Sequence, residues 1–167
     1  MRIIATLLMA ALLLQASLVW GFSHNQRSMR HSSRLFQTFS SGGVTFKSEK
    51  LMKYFDLPVF LVIGASEDRS KFGNKVLRCM LSHKKQCVPF NKRLPIIEGI
   101  TTVDSLQAFI DLLPTLSPTA SISEVGMNLI TPPPVTLNLM RQGYELGIRN
   151  FFCQPGTVDG DVEVILS

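Results

Sequence analysis

Short apolar runs alternate with amphipathic stretches along the chain after residue 55. The first of four such runs consists only of Val, Phe, Leu and Ile, as is typical of a strand buried on both faces of a parallel sheet, and all four runs are predicted to be strands. They lie at residues 59–63, 87–90, 126–130 and 148–154. The stretches between them repeat apolar residues at helical spacing, at residues 74–82, 104–113 and 132–147. Alternating strands and helices predict an α/β fold, a Rossmann-like open parallel sheet of about five strands with helices on both faces.

The first apolar run ends abruptly at Gly64. Because glycine has no Cβ, this residue lets the backbone turn sharply and lets a ligand approach closely. Ser70 is the expected cap of the helix that follows. A helix that starts at the carboxyl end of a buried strand presents free N–H groups and its positive dipole end, which favours a bound phosphate. A strand-to-helix turn without any ligand has the same sequence features.

The bounds of the other elements depend on single residues. Thr102 or Asp104 is expected to cap the helix that carries Phe109, and Pro114 is expected to begin a loop. Residues 97–100 are expected to form a connector. A last helix is expected to start at Asp159 or Asp161, where the side chain would cap it.

Each predicted strand is followed by a loop of small, polar or proline residues. In open α/β sheets, ligands bind at the carboxyl edge, near the point where the strand order reverses. We therefore expect one binding site built from four loops, at residues 64–66, 91–92, 131–133 and 154–156.

The first 48 residues differ from the rest of the chain. An apolar run at residues 3–14 follows Arg2, and it is too short for a comfortable membrane span. Residues 1–21 are therefore interpreted as a secretory signal peptide whose cleavage leaves Phe22 as the first residue, with an uncleaved anchor as the alternative. Residues 22–48 form a transit-like, disordered leader. The two segments together resemble the presequences of algal proteins that reach the plastid through the endoplasmic reticulum, so we expect a plastid location, with secretion as the alternative.

The basic excess of the chain belongs to this leader. The whole sequence has 17 Lys and Arg against 12 Asp and Glu, a net charge of +5. Five of the basic residues and no acid precede residue 49, which leaves 12 basic and 12 acidic residues in the domain at residues 49–167. A neutral domain lacks the charge pattern of a nucleic-acid-binding protein. We also expect no membrane association of the mature form.

The cysteines and histidines do not predict a metal site or a disulfide framework. Cys79, Cys87 and Cys153 are odd in number and form no Cys-x-x-Cys pair. Free cysteines are often small buried residues, which is what we expect of these three. His83 is the one histidine of the domain, so no histidine-based metal site or catalytic triad is expected.

The sequence lacks the common nucleotide-binding motifs, which narrows the possible ligands. The triple glycine of dinucleotide-binding folds is absent, and no Gly-Lys-Ser/Thr forms a P-loop. The second strand ends in Asn91, Lys92 and Arg93, a basic segment that suits a phosphorylated ribose. Coenzyme A with its 3′-phosphate and NADP with its 2′-phosphate both fit this end, whereas NAD fits it poorly.

Five motifs in order resemble those of the small CoA-binding domain family, over about residues 55–165. They are residues 64–66 with 70–73, residues 89–91, residues 97–99, residues 131–133 and residues 154–157. The fold of this family is similar to the amino-terminal CoA-binding domain of the succinyl-CoA ligase α subunit. The resemblance implies a Rossmann-type domain that binds coenzyme A or an acyl-CoA.

The resemblance also implies which residues line the site. The pyrophosphate and pantetheine side would be held by Gly64, Ala65, Ser66, Ser70, Phe72 and Gly73. The adenosine end would meet Asn91 with Lys92 or Arg93. The pocket would be lined by Thr131, Pro132 and Pro133 and closed by Gln154 and Gly156.

The sequence departs from the family pattern in two places. Lys92 stands where the family often has proline, which leaves open whether it or Arg93 reads the 3′-phosphate. The family usually continues with a full helix and a last strand, so for a chain ending at Ser167 we expect that edge of the sheet to be absent or supplied elsewhere.

The resemblance to the ligase does not extend to its chemistry. The phosphorylated histidine of the ligase lies outside its CoA domain and has no counterpart in this sequence. Glu67 and Asp68 are expected to be solvated, and Cys153 is expected to point into the core. The sequence therefore favours non-catalytic binding of coenzyme A or acyl-CoA. The alternatives are an accessory subunit of an acyl-CoA ligase, with a partner subunit or a homo-oligomer, and an NADP-binding module.

Overall fold

The computed structural model describes residues 48–158 of the chain. The predicted signal peptide, transit-like leader and last helix lie outside these residues. The elements are, in order, α1 (Ser48–Phe55), β1 (Val59–Ile63), α2 (Phe72–Ser82), β2 (Gln86–Phe90), β3 (Ile96–Ile97), β4 (Ile100–Thr101), α3 (Leu106–Leu116), β5 (Val125–Leu129), α4 (Pro133–Glu145) and β6 (Asn150–Cys153). A single 3₁₀ turn, Ile122–Glu124, precedes β5.

Four of these strands form one parallel sheet in the order β2–β1–β5–β6. The chain passes from β1 to β2 on one side and returns to β5 on the other, so the strand order reverses at β1. The predicted Rossmann-like α/β fold is confirmed. Among residues 48–158, no helix has the length and apolar character needed to cross a bilayer.

The strand β1 is the centre of the core, and each of its residues is at most 1% exposed. Its side chains alternate between two faces, as the pleat of a strand requires. Val59, Leu61 and Ile63 pack in a cluster with residues of α3 and α4. Phe60 and Val62 pack in a second cluster with residues of α1 and α2. The sheet is therefore covered by helices on both faces, as predicted.

An aromatic cluster fixes α1 against the second face. The ring of Tyr54 lies 5.6 Å from that of Phe60 and 5.4 Å from that of Phe152, while Phe55 lies 5.7 Å from Phe152. Gly126 of β5 makes this approach feasible, since a Cβ there would lie 2.7 Å from the ring of Phe60. The helix that precedes the first strand is thus a component of the core.

Three details differ from the sequence predictions. The predicted connector at residues 97–100 is an antiparallel hairpin of β3 and β4, because Glu98 and Gly99 take positive φ values of 49° and 79° and make a tight turn. The N-cap of α3 is Ser105, whose hydroxyl accepts from the backbone N–H of Ala108 at 3.2 Å. The prediction of Thr102 or Asp104 as the cap was therefore wrong. Pro114 lies inside α3 near its C-terminus and does not start a loop.

Candidate functional site

The four loops predicted to form a site all lie at one edge of the sheet. They follow the carboxyl ends of β1, β2, β5 and β6, and because these strands are parallel neighbours, the loops are adjacent. In open α/β sheets ligands bind where the strand order reverses, which in this sheet is between β1 and β5. The structure therefore brings the sequence-predicted site residues together.

The turn after β1 is tightly packed around two glycines. Gly64 has a φ of +92°, and a Cβ on it would lie less than 3.0 Å from the carbonyl oxygen of Ile130. A Cβ on Gly73 would in turn clash with the carbonyl oxygen of Gly64. Gly64 is therefore required by the packing of the chain itself. The positive φ confirms the sharp turn expected from the sequence, and the contact with Ile130 is a further reason for glycine that the sequence did not show.

The N-terminus of α2 follows this turn without a side-chain cap. Lys71 is the N-cap residue, in an extended conformation, and its side chain makes no capping hydrogen bond. Ser70 was predicted to be the cap, but its hydroxyl donates to Oδ1 of Asp68 at 2.6 Å. That bond and the one from the Ser70 backbone N–H at 2.9 Å lower the pKa of Asp68. The first N–H groups of α2 are thus left for a partner at the edge of the sheet.

A polar cluster that the sequence reasoning missed supports the same turn. The buried side chain of Asn74 donates to the carbonyl oxygen of Ser66 at 2.8 Å and to Oε1 of Glu98 at 2.9 Å. Its Oδ1 accepts from Nε of Arg78 at 2.9 Å. Arg69 donates to both carboxylate oxygens of Glu98, at 2.9 and 2.7 Å. These bonds connect the loop after β1 to the β3–β4 hairpin.

The hydrogen bonds of this cluster change the titration of Glu98. They lower the pKa of its carboxyl group from 4.5 to about 2, with Arg69 as the largest cause and Asn74 as the second. The sequence did offer one signal for the cluster, because Asn74 falls among the apolar residues of the α2 stripe and a buried amide needs partners.

The loop after β2 is joined to the loop after β1 by Asn91. Its Nδ2 donates to the carbonyl oxygen of Ala65 at 3.1 Å, and its Oδ1 accepts from the backbone N–H groups of Arg93 and Leu94 at 2.9 and 3.0 Å. Lys92 and Arg93 are exposed, and within residues 48–158 neither side chain forms an ion pair. Two cations thus stand unpaired at the carboxyl end of β2.

The loop after β5 is closed by two threonines. The hydroxyl groups of Thr131 and Thr136 lie 2.8 Å apart, and that of Thr136 also donates to the carbonyl oxygen of Thr131 at 2.9 Å. Helix α4 begins at Pro133, with Pro132 as a cap residue that makes no side-chain hydrogen bond. Pro132 is exposed and Pro133 is half-buried.

The loop after β6 contains an unpaired buried amide. Gln154 is 2% exposed, its backbone N–H donates to the carbonyl oxygen of Leu129 at 3.0 Å, and Thr157 donates to its carbonyl oxygen. Its Nε2 is buried and has no hydrogen-bond partner within the described part of the chain. Since buried amides are normally hydrogen-bonded, this donor is available to a ligand acceptor. Gly156 lies exposed beside it.

The remaining predicted site residues contribute mainly to the framework. Phe72 is half-buried and packs against the hydrophobic cluster that Phe60 and Val62 form with residues of α1 and α2. Ser66 accepts from the backbone N–H of Asp68 at 3.2 Å. Cys153 packs against the opposite cluster, with its sulfur 3.8 Å from that of Met140, and burial raises its pKa to about 11. Its thiol therefore points into the core, as expected.

The carboxyl edge has features that favour a bound anion. It combines an uncapped helix N-terminus, two unpaired cations and one unpaired buried donor. Within residues 48–158, no three histidine, cysteine or acidic side chains are grouped closely enough to hold a metal ion.

Comparison with known proteins gives a matching family and similar solved structures. The family described as "CoA binding domain" matches residues 59–167. Among solved structures, the chain is similar to a conserved hypothetical protein from Pyrococcus furiosus, with 25% sequence identity and a TM-score of 0.53. The similarity covers 65% of this chain and 83% of that one. No curated protein matches the chain.

Proposed function

This chain belongs to the CoA-binding domain family, and from that membership we propose that it binds coenzyme A or an acyl-CoA at the carboxyl edge of its sheet. The observation that carries the proposal is the extent of the match, because residues 59–167 include all four loops of the edge. The proposed role is binding and not catalysis. The thiol of Cys153 is turned into the core, and the carboxylate of Glu98 is held by Arg69 and Asn74.

The pyrophosphate is proposed to bind at the turn after β1. Backbone N–H groups at a helix N-terminus and the positive end of the helix dipole favour a phosphate. The uncapped first turn of α2 supports this position, since its N–H groups are not used by a side chain of the N-cap residue. The buried Nε2 of Gln154 supports a second polar contact, to a carbonyl or amide of the pantetheine arm.

The 3′-phosphate is proposed to lie at the end of β2, near Lys92 and Arg93. Both side chains are exposed cations without an ion-pair partner in the described chain. A phosphate with two negative charges would form charge-assisted hydrogen bonds with them. The same chemistry favours the 2′-phosphate of NADP, which is therefore the second candidate ligand.

Calorimetric titration with coenzyme A, 3′-dephospho-coenzyme A and NADPH tests the proposal. We expect coenzyme A to bind, and removal of the 3′-phosphate to weaken binding on the order of tenfold. Lys92→Ala and Arg93→Ala, measured separately, identify which cation reads the phosphate. Arg141→Ala, on the exposed face of α4, is the matched control. Binding of NADPH that equals or exceeds that of coenzyme A would reject the proposal.

An accessory subunit of an acyl-CoA ligase would use the same binding surface. In that role the chain would act with a second, nucleotide-binding subunit. Purification of the protein from its own cells distinguishes the roles, because a ligase subunit would co-purify with its partner in a stable ratio. Native mass spectrometry of the purified protein would identify a bound cofactor and a homo-oligomer in the same measurement.

A further inference from the structure

The two halves of the carboxyl edge differ in charge. The loops after β1 and β2, at residues 64–71 and 91–93, carry six charged residues, namely Glu67, Asp68, Arg69, Lys71, Lys92 and Arg93. The segments after β5 and β6 carry no cation. Residues 130–138 and 154–158 contain no charged residue, and the acid Asp159 follows directly in the sequence. A ligand that crosses the edge therefore passes from loops that carry cations to described loops that carry none.

The half without cations also exposes apolar side chains. Val135, in the first turn of α4, is 45% exposed, and Val158, after β6, is 38% exposed. Three exposed prolines belong to the same loops: Pro132, Pro134 and Pro155. Single exposed valines are common on protein surfaces, but these residues belong to the loops of two neighbouring strands, and exposed apolar residues on loops without cations are suited to an apolar ligand group. We call Val135, Val158 and these prolines the apolar rim.

We infer that the acyl group of the bound thioester is uncharged and apolar, and that it lies on the apolar rim. This inference rests on the proposed function. With the phosphates at the charged half, the thioester end of the ligand extends toward the loops after β5 and β6. An apolar acyl group gains free energy when it covers the exposed valines. The terminal carboxylate of a dicarboxylic acyl group would lose water there without meeting a cation of residues 130–138 or 154–158.

A matched pair of ligands tests this inference. Butyryl-CoA and succinyl-CoA carry acyl groups of four carbons each and differ in a terminal methyl or carboxylate group. Titration calorimetry with both and with free coenzyme A should show butyryl-CoA binding about fivefold or more tightly than succinyl-CoA, and more tightly than free coenzyme A. Equal or tighter binding of succinyl-CoA would overturn the inference. If none of the three ligands binds, the proposed function itself fails.

A charge substitution provides the reverse test. Val135→Lys places a cation on the apolar rim, so the ratio of butyryl-CoA to succinyl-CoA affinity should fall at least threefold. The matched control is Tyr144→Lys, at an exposed apolar residue near the other end of α4, where the ratio should not change. If circular dichroism shows that the Val135 variant is unfolded, Val158→Lys takes its place. An unchanged ratio in a folded rim variant would contradict the placement of the acyl group.

Discussion

Arg69 and Glu98, 29 positions apart in the sequence, form a bidentate ion pair that joins the loop after β1 to the turn of the β3–β4 hairpin. The guanidinium is 67% exposed, whereas the carboxylate is 15% exposed and also accepts from the buried Asn74. The loop at the proposed phosphate site is therefore supported by the β3–β4 hairpin through Arg69 and Glu98, and by α2 through Asn74. The hairpin holds the loop, and the loop presents the N-terminus of α2.

The pH dependence of stability should report this ion pair. Because the fold lowers the pKa of Glu98 from 4.5 to about 2, the folded state holds the carboxylate more strongly than the unfolded chain does. Its contribution is fully present above a pH of about 4.5 and is lost as the pH falls toward about 2. Urea unfolding at several pH values should show that the free energy of unfolding of Glu98→Gln changes less with pH across this range than that of the unmodified protein. The residual slope should come from Asp68 and Glu124, whose pKa values are also lowered.

Glu145→Gln is the matched control, since Glu145 is an exposed carboxylate at the end of α4 and far along the chain from the hairpin. A profile for Glu98→Gln that coincides with that of this control would show that the ion pair adds nothing in solution.

Removal of the buried amide beneath the loop should destabilise the protein. Asn74→Ala leaves the carbonyl oxygen of Ser66 and part of the Glu98 carboxylate without a donor, so the free energy of unfolding should fall by about 2 kcal/mol. Coenzyme A affinity should fall too, because the turn loses its support. Asn138→Ala, which removes an exposed bond to Gln142, should change the free energy of unfolding by less than about 0.5 kcal/mol. Equal effects of the two substitutions in urea unfolding would contradict this prediction.

A buried polar group in the centre of the sheet should be replaceable with a gain in stability. Asn128 of β5 is fully buried, its Nδ2 lies 3.1 Å from the sulfur of Met80, and its Oδ1 has no partner among the described residues. Asn128→Leu keeps the branching of the side chain, although leucine is larger, and removes the unpaired oxygen, so the free energy of unfolding should rise by about 1 kcal/mol. Asn128→Asp should lower it at neutral pH, since it buries an unpaired charge. A destabilised leucine variant would indicate that a water or ligand satisfies the amide.

The glycine contact at the turn after β1 should tolerate no side chain. In Gly73→Ala the new methyl group clashes with the carbonyl oxygen of Gly64, and backbone atoms would have to move. The free energy of unfolding should fall by about 2 kcal/mol or more. Gly156→Ala is a useful comparison because its Cβ would meet nothing within 4 Å, although its φ is +87°. The free energy of unfolding of that variant, measured by thermal or urea unfolding, should fall by only about 1 kcal/mol.

We propose that residues 1–48 direct the protein to a plastid in two cleavage steps. A fluorescent protein fused behind residues 1–48 should enter the plastid, whereas a fusion behind residues 1–21 alone should enter the secretory pathway. Phe22→Ala tests the transit-like segment, and its fusion should stop before the plastid stroma. Secretion of the full 1–48 fusion would reject this location.

Much of the fold could be predicted because its strands are apolar runs bounded by glycine or proline. The prediction for β1 was correct at both ends, and that for β2 missed only Gln86. The β3–β4 hairpin could not be found in this way, because strands of two residues have no periodicity. Helix caps were missed for a related reason: several polar residues stand side by side before α3, and only the backbone geometry selects Ser105.

The convergence of the four loops at one edge was predictable, and the hydrogen bonds between them were not. Parallel strands place their carboxyl ends at one edge, so the order of the elements was enough to bring the four loops together. The contact between Asn74 and Glu98 joins residues 24 apart through a hairpin that the sequence did not reveal. Likewise, the sequence did not show that the side chain of Asn91 joins the loop after β2 to the loop after β1.

The aromatic packing of α1 decides where a recombinant fragment should begin. The family match starts at residue 59, directly at β1, yet Tyr54 and Phe55 lie before it and cover Phe60 and Phe152. A protein expressed from residue 59 would lack Tyr54 and Phe55, so the rings of Phe60 and Phe152 and the surface at Gly126 would be exposed to water. Such a protein should aggregate during purification. Expression from Ser48 keeps the sheet covered and is the boundary to choose for crystallisation or ligand titration.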